Sequence, residues 1–215
     1  MSNISPQELR VIRECISKVA KGRTVTAMCA YGSRVAGYAR PDSDIDILAV
    51  LENYPYVVKY SYFANAGIKL SILAVDKKSL ERDAKSGFLG EFVVGRLLHI
   101  YEPIDNAEFL SSIERVYKRR IILEEVQDVV NSAGVLGTEI SFPLEFVMFS
   151  KIKHRMSLYP NAAYSYQMIY SNNDDTTNSK RNLEFALDGY RRAFSDIVAE
   201  DKRLFVARND DLLQI

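Results

Sequence analysis

The chain has 215 residues, 47% hydrophobic and 26% charged, proportions of an ordinary folded protein and not of a disordered tail. Its 28 Lys plus Arg balance 28 Asp plus Glu, so no net charge draws the whole molecule onto nucleic acid or membrane, and such a partner would have to meet a local patch. No stretch approaches the ~20 apolar residues that span a bilayer, and residues 1–22 lack the apolar core of a signal peptide. Cys15 and Cys29 are too few for a disulfide framework and lack zinc-ligand spacing, which points to buried, reduced thiols in a cytoplasmic protein.

Ser5-Pro6-Gln7-Glu8 is a capping box with Pro at the first helical position, and Leu9, Ile12, Ile16 and Val19 follow at helical spacing until Gly22. Residues 24–31, TVTAMCAY, read as a buried strand, and 33–39 as a short helix. Pro41-Asp42-Ser43 is turn chemistry, and IDILAVL is a second strand. Residues 56–63 and 68–75 read as two more strands, joined at Gly67. Helical spacing dominates beyond residue 77. KKSLERDA and FLGEFVVGRLLHI are expected as helices divided by Gly87, with Pro103 ending that part.

A long helix is expected over 107–132, with Phe109, Ile113, Val116, Leu123, Val126 and Val130 along its buried face. Further helices are expected over 144–158 and 161–170, then a polar linker over 171–179. A last helix has Leu183, Leu187, Tyr190, Phe194 and Ile197 in register, followed by a hairpin around Asn209-Asp210. The expectation is an α+β fold: a mixed sheet flanked by helices over 1–105, then a mainly helical region over 106–215 whose final helix and hairpin resemble a winged helix.

The chemistry concentrates in residues 30–51, AYGSRVAGYARPDSDIDILAVL. Asp42, Asp44 and Asp46 do not open a calcium EF-hand loop, since Ile47 and Asn53 stand where Gly and Glu are needed. Gly32 and Gly37 do not form a Walker A loop, since Tyr38 and Ala39 follow in place of Lys and Ser or Thr. In a strand, side chains two apart share a face. Asp44 and Asp46 then point one way while Ile45 and Ile47 enter the core. Two converging carboxylates repel unless a cation joins them, and Mg²⁺ takes one or two carboxylates together with phosphate oxygens. Gly32 allows close backbone approach to a phosphate, Ser33 adds a hydroxyl, and Arg34 can add a charge-assisted bond. Asp42 reads as a turn residue.

This stretch resembles the signature of the DNA polymerase β-type nucleotidyltransferase superfamily: Gly-Ser, a spacer of about ten residues, then Asp-x-Asp among apolar residues. The resemblance covers residues 24–76, and beyond them the chain is similar to uncharacterised archaeal members. It implies a small mixed sheet, Mg²⁺, and transfer of a nucleoside monophosphate from an NTP to an acceptor hydroxyl. Gly32 and Ser33 would bind the triphosphate, and Asp44 and Asp46 the metal. It also implies a third carboxylate on a later strand, and the matching position is Ser71. Asp76 lies roughly 16 Å further along at ~3.3 Å per residue, within reach only if that strand runs antiparallel to the one bearing Asp46. Asp42 or Glu91 would serve only by a fold that brings it near. The departure leaves a catalytically degenerate nucleotide- or RNA-binding protein as the alternative to an enzyme.

Several residues outside the motif carry weaker expectations. Tyr159, Tyr164, Tyr166 and Tyr170 are candidates to stack on bases, or core residues. His99 reads as packed or capping, and His154 as one of a solvated face with Lys151 and Arg155. Lys118-Arg119-Arg120, Lys151-Lys153-Arg155 and Arg191-Arg192 are candidates for one basic surface. That surface would bind a nucleic-acid acceptor, or DNA in a regulator reading through the terminal module.

Overall fold

A computed structural model describes residues 4–65, 67–134, 136, 140–171, 174–200, 205–206 and 212–214. Helix α1 (Pro6–Ala20) starts at the expected capping box: the Ser5 hydroxyl accepts from Glu8 N–H while the Glu8 carboxylate accepts from Ser5 N–H. Strands β1 (Val25–Tyr31), β2 (Ile45–Leu51), β3 (Val58–Asn65), β4 (Ile68–Asp76) and β5 (Glu102–Asp105) form one sheet in the order β3-β4-β2-β1-β5. Only β2 and β4 pair in parallel; the other neighbours are antiparallel. Both faces of the central strands are covered, which explains their nearly continuous apolar sequences. Met28, Ala30, Ile45, Ile47, Ile72 and Ala74 pack with α1. Cys29, Leu48, Val50, Leu73 and Val75 face the helical region.

One turn of helix, α2 (Ser33–Ala36), follows β1, and α3 (Lys77–Ser86) follows β4, with Asp76 capping it and Gly87 ending it in the left-handed conformation. The expected helix over 88–100 is mostly absent. Gly87, Gly90 and Glu91 all have positive φ, and only Val94–Leu98 coils, as a 3-10 helix. The buried Asp83 carboxylate explains the loop. It accepts from Leu89, Glu91 and Val94 N–H at 2.7, 3.2 and 3.0 Å, bonds that replace a helical ladder. Pro103 does not end the region but sits in β5. That is an edge strand, where the missing N–H is tolerated.

Helix α4 (Ala107–Ala133) crosses the helical face of the sheet, with α5 (Leu144–Leu158), α6 (Ala163–Tyr170) and α7 (Thr176–Glu200) around it. Its buried face matches the expected one only in part, at Ile113 and, half-buried, at Phe109, Val126 and Val130. Leu110, Ile113, Glu114, Tyr117, Lys118, Ile121 and Ile122 are inside, while Val116 and Leu123 are exposed. The reason is an internal ion pair: Lys118 Nζ lies 2.7 Å from the Glu114 carboxylate and 2.9 Å from Ala186 O of α7. Two charged residues on the core face break the apolar pattern that periodicity reads. The α7 face is as expected, with Leu187, Tyr190, Phe194 and Ile197 buried, although the helix begins inside the stretch read as linker. Strands β6 (Ser141–Pro143), β7 (Phe205–Val206) and β8 (Leu212–Gln214) form a small sheet in the order β6-β8-β7, so the terminal hairpin pairs as expected. Its turn at Asn209-Asp210 lies outside the described residues. Among the described residues no helix is long and apolar enough to cross a membrane.

The face assignment of α4 is testable by urea unfolding. Ile121→Ala, at a side chain 0% exposed, should cost about 2–5 kcal/mol. Leu123→Ala, at one 39% exposed, should cost under ~1 kcal/mol. The reverse order would restore the face read from periodicity.

Candidate functional site

Asp46 is the first candidate side chain the sheet positions. It stands one residue into β2, opposite Tyr31 on antiparallel β1 and Ser71 on parallel β4. It shares parity with Leu48 and Val50, so it faces the helical side, while Ile45 and Ile47 are buried on the other. The last residue before the strand is Asp44, whose charge acts on Asp46. Burial, and then the Asp44 charge, push the Asp46 carboxyl up to about 7, against the Arg96 charge and a hydrogen bond from Ser71 that pull it down.

The Gly-Ser turn meets these acids directly. Gly32 has φ 79°, a conformation that favours glycine, and a Cβ there would overlap the Asp46 carboxylate. The absence of a side chain at Gly32 is therefore what gives Asp46 its place. Helix α7 holds the segment from behind. Arg181 Nη2 donates to Val35 O at 2.8 Å, and Asn182 Nδ2 donates to Ala36 O at 2.9 Å and Ile169 O at 3.1 Å. Nearly 150 residues downstream, α7 thus fixes the turn that carries Ser33.

Gly32, Ser33 and Asp46 open onto a cleft of about 670 Å³ between the sheet and the helical region. Tyr38, Tyr60, Tyr159, Tyr164 and Tyr166 contribute aromatic walls, with Arg96, His99 and Arg155 as polar groups. A volume of this size, with aromatic walls and charged and polar groups among them, suits a nucleotide-sized ligand. Arg96 is the cation that sequence reasoning missed. Its guanidinium lies over Tyr31 at 5.4 Å and Phe92 at 5.2 Å, and donates to Tyr60 Oη at 3.2 Å. Nothing local in VVGRLLHI marks it, because only the fold brings 96 beside 31 and 46.

The other named residues divide clearly. Arg34 braces the turn, donating to Ser43 O at 3.0 Å and to the Glu8 carboxylate at 3.3 Å, and it is not part of the cleft wall. Ser71 is buried beside Asp46, at the place the resemblance reserves for an acid. Asp76 is opposite Leu51 at the far end of a parallel pair, where its carboxylate accepts from Tyr54 and Ser79 N–H, so it does not reach the site. Asp42 is exposed in the turn. Glu91 is held elsewhere, with Lys151 and Arg120 each 2.7 Å away and the Tyr117 hydroxyl at 2.9 Å. Burial raises its pKa, but Lys151 and Arg120 outweigh that and hold it below the usual carboxylate range.

The expected basic surface is not one surface. Lys118, Lys151 and Arg155 are buried and spend their charge internally. His154 is exposed as expected, and His99 is buried, with Nδ1 2.6 Å from Tyr170 Oη. Burial and the nearby Arg155, Lys118 and Arg96 charges keep its imidazole neutral, well below its ordinary range. Three of the four flagged tyrosines, Tyr159, Tyr164 and Tyr166, line the cleft, and Tyr170 packs against His99.

The donor set suits a magnesium ion shared with a ligand better than a protein-only metal cage. Among the described residues no group of three or more His, Cys, Asp or Glu is placed to hold a metal, whereas Asp44 and Asp46 offer two carboxylates that repel without a cation.

The pH sign follows from the Asp46 shift. A carboxyl whose folded pKa exceeds its unfolded value favours the folded state at low pH and loses that contribution as pH rises through about 7. In metal-free buffer Asp46→Asn should therefore be more stable than the wild type at pH 8, and the gap should close towards pH 4. Thermal unfolding across that range checks it; a wild type equal to or more stable than the variant at pH 8 contradicts the raised pKa.

Comparison with known proteins places the chain. The family model described as a nucleotidyltransferase domain matches residues 9–129, more than half of the sequence. Among solved structures, a nucleotidyltransferase-like protein from Exiguobacterium sibiricum 255-15 is similar at 13% identity and a TM-score of 0.37, over 91% of this chain and 77% of that one. No curated protein matches. The matched residues contain the Gly32-Ser33 turn, Asp44, Asp46 and the whole five-stranded sheet, and the chain belongs to the nucleotidyltransferase domain family.

Proposed function

We propose that the protein binds an NTP with Mg²⁺ in the cleft and transfers its nucleoside monophosphate group to an acceptor hydroxyl. The observation that carries this reading is the half-buried Asp46 carboxylate, raised to about 7 beside Asp44, in the cleft that Gly32 and Ser33 also line. Asp44 and Asp46 hold the ion. Gly32 lets the backbone approach the triphosphate, and the Ser33 hydroxyl donates to it. Arg96 adds positive charge within the cleft. Arg34 acts through the turn it braces, as a positioning residue. When bound, the ion supplies neutralisation of the phosphates and a lowered pKa for the acceptor hydroxyl.

The chain's own contribution is placement and electrostatics in a half-buried site. Tyr159, Tyr164 and Tyr166 offer flat faces for the base. In this reading residues 1–105 carry the Gly-Ser turn and both acids, and residues of 106–215 complete the cleft wall. The two buried thiols, Cys15 and Cys29, fit a reducing cytoplasm.

A second reading, nucleotide binding without turnover, is favoured by one observation: Ser71 stands where a third acid would complete the site. A serine neither carries the charge nor accepts a proton at neutral pH. Incubation with α-³²P-labelled NTPs, Mg²⁺ and a panel of acceptors separates the two. Transfer that Asp44→Ala and Asp46→Ala each abolish supports the enzyme. Tight Mg·NTP binding with no label moved supports the binding protein. Transfer that survives both substitutions contradicts the site.

A further inference from the structure

The two acids stand where two adjoining hollows meet. Asp46 lines the main cleft, whereas Asp44 lines a separate groove of about 560 Å³ with Tyr62, Phe63, Lys69 and Leu70. Arg40 and Ser43 line both, so cleft and groove form one path that the acids divide. On edge strand β3 the side chains of Tyr60 and Tyr62 repeat this division. Tyr60 belongs to the cleft and Tyr62 to the groove, and their rings stack with centroids 6.0 Å apart and planes 9° apart. Tyr62 is 73% exposed, a large aromatic face in water supported from behind by another ring.

Nucleotidyl transfer constrains how such a path is used. The attacking and leaving oxygens lie roughly in line through the phosphorus. With the triphosphate tail at Gly32 and Ser33 on the cleft side, pyrophosphate departs into the cleft, and the attacking hydroxyl must come from beyond the acids. There the acceptor oxygen forms the new bond to the α-phosphorus. The bond to the bridging oxygen breaks, its electron pair leaves with pyrophosphate, and the hydroxyl proton passes to water in the open groove.

Resting on the donor reading above, we infer that the Asp44–Tyr62–Lys69 groove is the acceptor subsite, and that it takes a nucleotide unit with a free hydroxyl. Tyr62 offers a face on which a base stacks irrespective of its identity, and Phe63 adds apolar lining to the groove. Lys69 and Arg40, both exposed, place cations at the rim for a phosphate; Asp42 lines the same groove, and Lys69 Nζ donates to its carbonyl at 3.5 Å. An aromatic platform beside cations is the chemistry of a single-stranded nucleic-acid end or of a free nucleotide. An acceptor without base or phosphate would use neither.

The test uses the full chain and two substitutions on exposed side chains, Tyr62→Ala and Lys69→Ala. Fluorescence anisotropy with a labelled single-stranded oligoribonucleotide bearing a free 3′ hydroxyl reads acceptor binding, and a separate titration reads Mg·NTP affinity. Tyr62→Ala should weaken oligonucleotide binding about tenfold or more, and Lys69→Ala should lower its salt slope by about one. NTP affinity should hold in both. Competition by a nucleoside monophosphate distinguishes the sources: full competition identifies a free nucleotide, and no competition a strand end. Oligonucleotide binding indifferent to both substitutions overturns the assignment. So does a wild type that takes NTP but neither nucleotide ligand and instead binds a peptide along β3. A wild type that takes no NTP at all contradicts the donor reading, a distinct failure.

Discussion

The structure turns on the repulsion between Asp44 and Asp46. Two carboxylates at the mouth of a sheet, one of them largely removed from water, cost free energy that the fold alone recovers only in part. The surroundings hold that arrangement in place and relieve it incompletely. Gly32 clears the space, Ser71 donates one hydrogen bond, and Arg96 supplies a positive charge. A chain with only stability to satisfy would put Asn or Ser at 46. Keeping the acid is intelligible if a cation, brought with a phosphorylated ligand, balances it.

The helical region completes this site as much as the sheet does. Arg181 and Asn182 of α7 bond the carbonyls of α2, which fixes the Gly-Ser turn. Arg155 of α5 fills the space that Gly95 leaves, donates to Glu91 O at 2.8 Å, and hydrogen-bonds Tyr166 at 2.9 Å in the cleft wall. Lys151 pins Glu91, so the loop that leads into Arg96 is tied to α5 by an internal ion pair. Such pairs are weak sources of net stability but costly to break on one side. They therefore act to fix one arrangement of loop and helix.

Much of this was legible from the chain because local chemistry dictated it. The capping box at Ser5 and Glu8, the alternation through Asp44 and Asp46, and the strand-turn-strand around Gly67 all depend on neighbours within a few residues. The place of Ser71 beside Asp46 was implied by the family resemblance, and the parallel pairing of β2 and β4 puts it there. What stayed hidden depends on distant partners. Lys118 was read as part of a basic surface because a lysine satisfied by Glu114 and α7 looks, in one dimension, like one on a solvated face. The loop over 87–94 read as helix because its apolar spacing is helical, and only the buried Asp83 carboxylate and three positive φ angles override it. Arg96 reaches the site through tertiary packing that no spacing encodes.

The central claim concerns the protonation of one side chain, and it can be measured there. Carbon-13 NMR of the aspartate carboxyls, assigned through Asp46→Asn, gives the Asp46 pKa with and without Mg²⁺ and a non-hydrolysable NTP. The account predicts a value near 7 in the free protein that falls well into the acid range when both are added, because the ion favours the charged form. A free-protein value at the ordinary aspartate ~3.9, unmoved by magnesium and nucleotide, would contradict it.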